Sequence, residues 1–146
     1  MAPTDWIGTV KKLIEICTDG EHGYREAARH ASRPELKKYF ETQSAHRARF
    51  AGELRRELSS LTAITVHGSA AAALHRGWID LLSRIGGGER SVLTAVAEGE
   101  RRAIAEYESA IQNPLPPQIV RLARSQLEEI RRVYNTITPG EPPIAA

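Results

Sequence analysis

Asp19-Gly20-Glu21 in the first half of the chain is echoed by Glu98-Gly99-Glu100 in the second. Each acidic motif is followed, at a similar interval, by an element centred on glutamine: Thr42-Gln43-Ser44-Ala45-His46 and Ser125-Gln126-Leu127-Glu128-Glu129. Glu21, Gln43, Glu100 and Gln126 form one candidate set, with His46, Arg47 and Glu129 beside them. Inward carboxylates and imidazoles at mid-height are how helical bundles hold metal ions. A carboxylate taken out of water must be ligated, paired or neutralised. Three partners are open to these acids. A metal ion could hold Glu21 and Glu100. The Gln43 and Gln126 amides could donate to carboxyls of raised pKa. Arg47 could turn inward and pair with one of them. Gly20 and Gly99 each precede an acid; glycine weakens a helix, so its recurrence here predicts close backbone approach by a neighbouring helix.

Four long helices are needed to place these groups. Thr4 or Asp5 can cap a first helix running to about Ala31. Ser32-Arg33-Pro34 is a tight link, with Pro34 suited to the first turn of a second helix ending near Leu61. A third spans about Glu89 to Gln112, and a fourth runs from the Asn113-Pro114-Leu115-Pro116-Pro117 turn to about Ile137. Between the second and third, a shorter helix is expected over about Ala70 to Ile85, broken by Gly86-Gly87-Gly88. It would pack Leu74, Trp78, Leu81 and Ile85 on the bundle from within the crossover, or serve as a fifth core helix. Short links make each hairpin antiparallel, and a long crossover joins them up-down-down-up. The expected architecture is a single all-α domain over 4–137 with a frayed tail over 138–146.

Helical geometry assigns the faces. Trp6, Val10, Leu13, Cys17, Tyr24 and Ala28 share one arc of helix 1, and Glu21 falls within it. Leu36, Phe40, Phe50, Leu54 and Leu61 define the core side of helix 2, with Gln43 central and His46 and Arg47 on opposite shoulders. Leu93, Val96, Ile104, Tyr107 and Ile111 surround Glu100 in helix 3. Ile119, Leu122, Ile130, Val133 and Ile137 surround Gln126 in helix 4, with Glu129 at the shoulder. Tyr24 and Tyr107 are expected in the core, or near a metal if one is held.

Bulk composition narrows the class. A chain of 146 residues, 41% hydrophobic and 26% charged, can bury a real core and is not of disordered composition. Aromatic residues are only 5%, which favours helix over sheet. A net charge of +2 argues against nucleic acid, because the arginines are interleaved with glutamates along helices. Cys17 stands alone, so no internal disulfide can form; on an apolar face it reads as a small inert hydrophobe. The first residues lack signal-peptide character, and no apolar run approaches the roughly 18 residues of a membrane span. The expected location is the cytoplasm. No Gly-rich phosphate loop, Ser-His-Asp arrangement or paired-cysteine knuckle is present.

With these residues in place, the chain resembles the ferritin-like superfamily. It is more closely similar to a bacterial family of small four-helix-bundle proteins of unknown function, described as PA2169-like. The likeness extends over about Asp5 to Ile137. Its carriers are Asp19-Gly20-Glu21, Gly23-Tyr24-Arg25-Glu26-Ala27-Ala28, Pro34-Glu35-Leu36-Lys37, Ala73-Leu74-His75-Arg76-Gly77-Trp78 and Glu98-Gly99-Glu100. The ferritin-like di-iron pattern has a Glu on helices 1 and 3 and Glu-x-x-His on helices 2 and 4. Here the corresponding residues are Glu21, Gln43-x-x-His46, Glu100 and Gln126-x-x-Glu129. Both bridging acids have become amides and one histidine has become an acid. Glu21, His46, Glu100 and Glu129 are what remains of the ligand set, and three carboxylates leave two divalent ions short of negative charge.

Two functions follow as expectations. The first is non-enzymatic: a bundle with a buried polar layer of Glu21, Gln43, Arg47, Glu100 and Gln126 and no cofactor. It would act by self-association, as a homodimer, or through a protein partner. The second is an iron- or manganese-binding protein with oxidase or peroxide chemistry at Glu21, His46, Glu100 and Glu129. His46 then reads as a packing residue under the first and a ligand under the second. His75, at the edge of the crossover helix, is expected to bond to the bundle beneath it.

Overall fold

The computed structural model describes residues 5–63 and 88–137. Its elements are α1 (Asp5–His30), α2 (Pro34–Leu61), α3 (Glu89–Ile111) and α4 (Pro117–Thr136). No strand occurs among the described residues. The expected crossover helix with His75, the start at Thr4 and the tail over 138–146 lie outside them.

The helix ends follow from local chemistry. Arg33 is extended, at φ −91° and ψ 133°, and Pro34 occupies the first turn of α2. Proline imposes both features: it disfavours helical backbone in the residue before it and needs no N–H partner at a helix start. Pro116 and Pro117 repeat the device at the start of α4. At the C-terminal end of α2, the Thr62 N–H and hydroxyl both donate to the Leu58 carbonyl, which would otherwise be orphaned.

Cross-helix pairs fix the topology. Reading up α1, Lys12 meets Glu106, Cys17 meets Tyr107, Tyr24 meets Glu100 and Arg33 just beyond the helix meets Glu89. From Cys17 onward the α3 numbers fall, 107 to 100 to 89, as the first numbers rise, so α1 and α3 are antiparallel. The short links make each hairpin antiparallel as well, which gives the expected up-down-down-up order. Packed neighbours are α1–α2, α1–α3, α3–α4 and α2–α4, leaving α2 diagonal to α3 across the bundle axis.

The core is divided. One apolar cluster gathers Val10, Leu13, Ile14, Phe50, Leu54, Leu58, Ala110, Ile119 and Ile130 at one end. A second gathers Ala27, Leu36, Phe40, Val92, Leu93, Val96 and Ile137 at the other. Each fully buried leucine contributes about 1.5–3 kcal/mol relative to exposure, so both ends hold together hydrophobically. The fully buried Arg47 and Glu100, with buried Gln43 and Gln126, supply the polar part of the interior.

Candidate functional site

An ion pair crosses the bundle's diagonal. Arg47 of α2 donates from Nη2 to Oε2 of Glu100 on α3, with 1% and 0% of the side chains exposed. The same carboxylate oxygen accepts from the Tyr24 hydroxyl at 2.8 Å. Two aromatic rings attend the guanidinium, with Cζ 5.8 Å from the Tyr24 centroid and 5.7 Å from that of Phe50; both lie within cation–π range. Arg47 reaches this position over Gly20. A Cβ there would stand 3.3 Å from Arg47 Cγ and 3.7 Å from Nη1. The expectation of close backbone approach at Gly20 is therefore corrected: it is a side chain that lies against it.

Electrostatics follow from burial. Desolvation pushes the Glu100 carboxyl up, and Arg47 and the Tyr24 hydroxyl pull it back only in part. Burial opposes the Arg47 charge most strongly, and Glu100 together with Tyr24, Cys17 and Tyr107 more than offsets it, raising the guanidinium above its ordinary value. Burial likewise holds the Tyr24 phenol well above its ordinary range, so it stays a donor. Glu100 Oε1 and Arg47 Nη1 have no hydrogen-bond partner among the described residues.

A second network is neutral along most of its length. Tyr107 donates to Gln126 Oε1 at 2.7 Å, which leaves its oxygen to accept from the Cys17 thiol at 2.9 Å. Desolvation pushes that thiol up to about 11, keeping the proton it donates. The Gln126 amide then donates to the Phe50 carbonyl at 3.2 Å and to Glu53 Oε1 at 3.0 Å. One acceptor and two donors are all used, and this is a physical reason for an amide at 126. A carboxylate there would face a carbonyl and another acid.

The remaining candidates are dispersed. Glu21 is half-buried and turned to Arg25, one turn on, at 3.0 Å. Among the described residues only its backbone carbonyl is engaged across helices, by Ser44 at 2.8 Å. The face assignment is corrected for this side chain. It sits at the edge of the apolar arc, and its length lets the carboxylate stay in water, avoiding desolvation. The echo inverts instead: Asp19 is buried in the first motif and Glu100 in the second, while Glu98 is at the surface with Arg101. Glu129 pairs with Arg49 across α2–α4 at 2.9 Å. Half-buried His46 shares a narrow crevice with Gln43, Arg47, Phe50, Glu129 and Val133.

Tyr24, Tyr107, Cys17 and Glu53 are the partners that residue patterns did not supply, and Asp19 is a buried acid that they did not single out. The tyrosines carried a usable signal, because a buried hydroxyl needs a hydrogen-bond partner. For Asp19 the adjoining Gly20 was the only hint.

Fold and site together define a ferritin-like four-helix bundle with a salt bridge in its core. The bundle matches a mutant of Dps1 from Mycobacterium smegmatis with a TM-score of 0.81, over 94% of this chain and 97% of that one, at 13% identity. This likeness shows the fold. Residues 5–113 match the model of a domain of unknown function, DUF2383, and the chain belongs to that family. No curated protein matches it.

Ferritin-like bundles can carry di-iron centres, which need converging carboxylates and imidazoles. The residues do not fit. Arg47 brings a fixed positive charge to the carboxylate that would serve as ligand, Glu21 and Glu129 are engaged by surface arginines, and both bridging positions are amides. Among the described residues no three His, Cys, Asp or Glu side chains converge.

Proposed function

We propose that this protein is a non-enzymatic ferritin-like bundle in which a buried polar layer takes the place of a di-iron site, and that it acts by association with a second copy of itself. The observation that carries the reading is the Arg47–Glu100 pair: a guanidinium competes for the carboxylate that a metal would use. What supports self-association is a groove of about 730 Å³ between α3 and α4. Ile111 and Leu127 lie in it, and its rims mix Glu108 and Glu128 with Arg124 and Arg131. Mixed charge suits a two-fold interface in which each patch meets its own copy. Within the family, the Leu74-His75-Arg76-Gly77-Trp78 string supports placement in the PA2169-like branch.

Elemental analysis of the natively purified protein, after exposure to ferrous and manganous salts and gel filtration, tests the first half. Metal far below one ion per chain is expected. Near-stoichiometric iron or manganese would establish the metal-binding alternative. Sedimentation equilibrium tests the second half: a dimer weakened by charge reversal at Arg124 is expected, and a monomer at every concentration would refute it.

A further inference from the structure

A cleft of about 360 Å³ opens between α1 and α3, walled by Asp19, Gly20, Gly99 and Arg102, with Arg47 at its floor. Two buried polar groups in it lack partners among the described residues: Arg47 Nη1 and Asp19 Oδ1. Arg47 is 1% exposed and Asp19 6%. Orphaned buried groups are costly, and the cleft is of small-ligand size. The absence of a side chain at Gly20 helps keep it open, since a Cβ there would crowd the Arg47 stem.

We propose that this cleft binds a small oxyanion, held by Arg47 at the floor, Arg102 at the rim and the Asp19 carboxyl as a hydrogen-bond donor on the wall. The charges sort in favour of an anion. Glu100 answers Arg47, Glu98 answers Arg101 and Lys12 answers Glu106. Arg102 adds a further positive charge at the rim. The charged groups facing Asp19 are Arg101, Arg102 and Glu106 of α3 and Arg47 of α2. Desolvation raises the Asp19 carboxyl to about 7 against a weaker pull from Arg102. Below that value it is neutral and can donate. Above it, its charge repels the anion. Carboxylate and sulfate share the planar or tetrahedral oxygens that guanidinium groups recognise. This inference does not depend on the self-association proposed above.

The test is titration of the full-length protein with sodium sulfate and sodium acetate, against sodium chloride at matched ionic strength. Amide shifts of Gly20 and Gly99 in nitrogen–proton correlation spectra are the readout. Saturable shifts are expected with at least one oxyanion one pH unit below the Asp19 value, weakening about tenfold one unit above it. Asp19→Asn keeps a neutral donor, so its affinity should become independent of pH. Arg102→Gln, at an exposed site that should not disturb folding, should weaken binding severalfold. No saturable shift with either anion, or identical affinities in both variants at both pH values, would overturn the proposal.

Discussion

The Arg47–Glu100–Tyr24 cluster carries two full charges, and each ion leaves one atom without a partner among the described residues. The Cys17–Tyr107–Gln126 chain, about two helical turns away along α1, carries its only charge at its half-buried end, Glu53, and uses every donor and acceptor of the amide. Both span the same interior. The first depends on mutual compensation, because each ion is the other's principal offset against desolvation, with Tyr24 adding to both. The second is a sequence of ordinary hydrogen bonds, each worth about 0.5–1.5 kcal/mol net. A ferritin-like interior can thus be made polar by two separate means, and they should fail differently.

The largest effect is expected from halving the ion pair. Arg47→Ala or Glu100→Ala strands a charge in the core and should lower unfolding free energy by about 3–5 kcal/mol in urea titrations. Arg47→Met combined with Glu100→Leu should recover most of that loss, since neither charge remains. Next comes Gln126→Glu, which sets an acid against Glu53 and the Phe50 carbonyl and should cost about 1–3 kcal/mol at neutral pH. That cost should shrink on acidification as the new carboxyl takes up a proton.

A smaller effect concerns Asp19. Its folded value is raised from the ordinary 3.8 to about 7, so the fold favours the protonated form. The associated stability is fully present below 3.8 and is lost as pH rises to about 7. Thermal unfolding across that window should show a falling Tm in the parent and a flatter profile in Asp19→Asn. The smallest effect belongs to Glu21→Gln, which breaks only an exposed i,i+4 pair worth about 0.2–0.5 kcal/mol. A loss as large as that of Glu100→Ala would return Glu21 to the interior.

Helix spans were legible because proline and glycine mark their ends and apolar spacing is sustained: the third helix, expected over about Glu89 to Gln112, runs Glu89–Ile111. Glu100, Gln126 and Gln43 were legible as interior groups because each lies among apolar residues at helical spacing, and Arg47, on a shoulder, as one able to turn inward. Their pairing was not. An arc tells which way a Cα–Cβ bond points, not where a long side chain ends. Glu21 escapes to Arg25 from the edge of its arc, whereas Arg47, on a shoulder, crosses to the opposite helix. Nor does a repeated motif show which of its two acids turns inward. Burial of Asp19 rather than Glu21 depends on the α1–α3 contact, which no local pattern encodes.

A double-mutant cycle on Arg47 and Glu100, read by urea unfolding of Arg47→Met, Glu100→Leu and the double variant, tests the core ion pair most directly. We expect the double variant to be more stable than the sum of the single losses implies, by about 2 kcal/mol or more. Additive losses would show that the two side chains do not meet in the core, and the account of the site would fall with them.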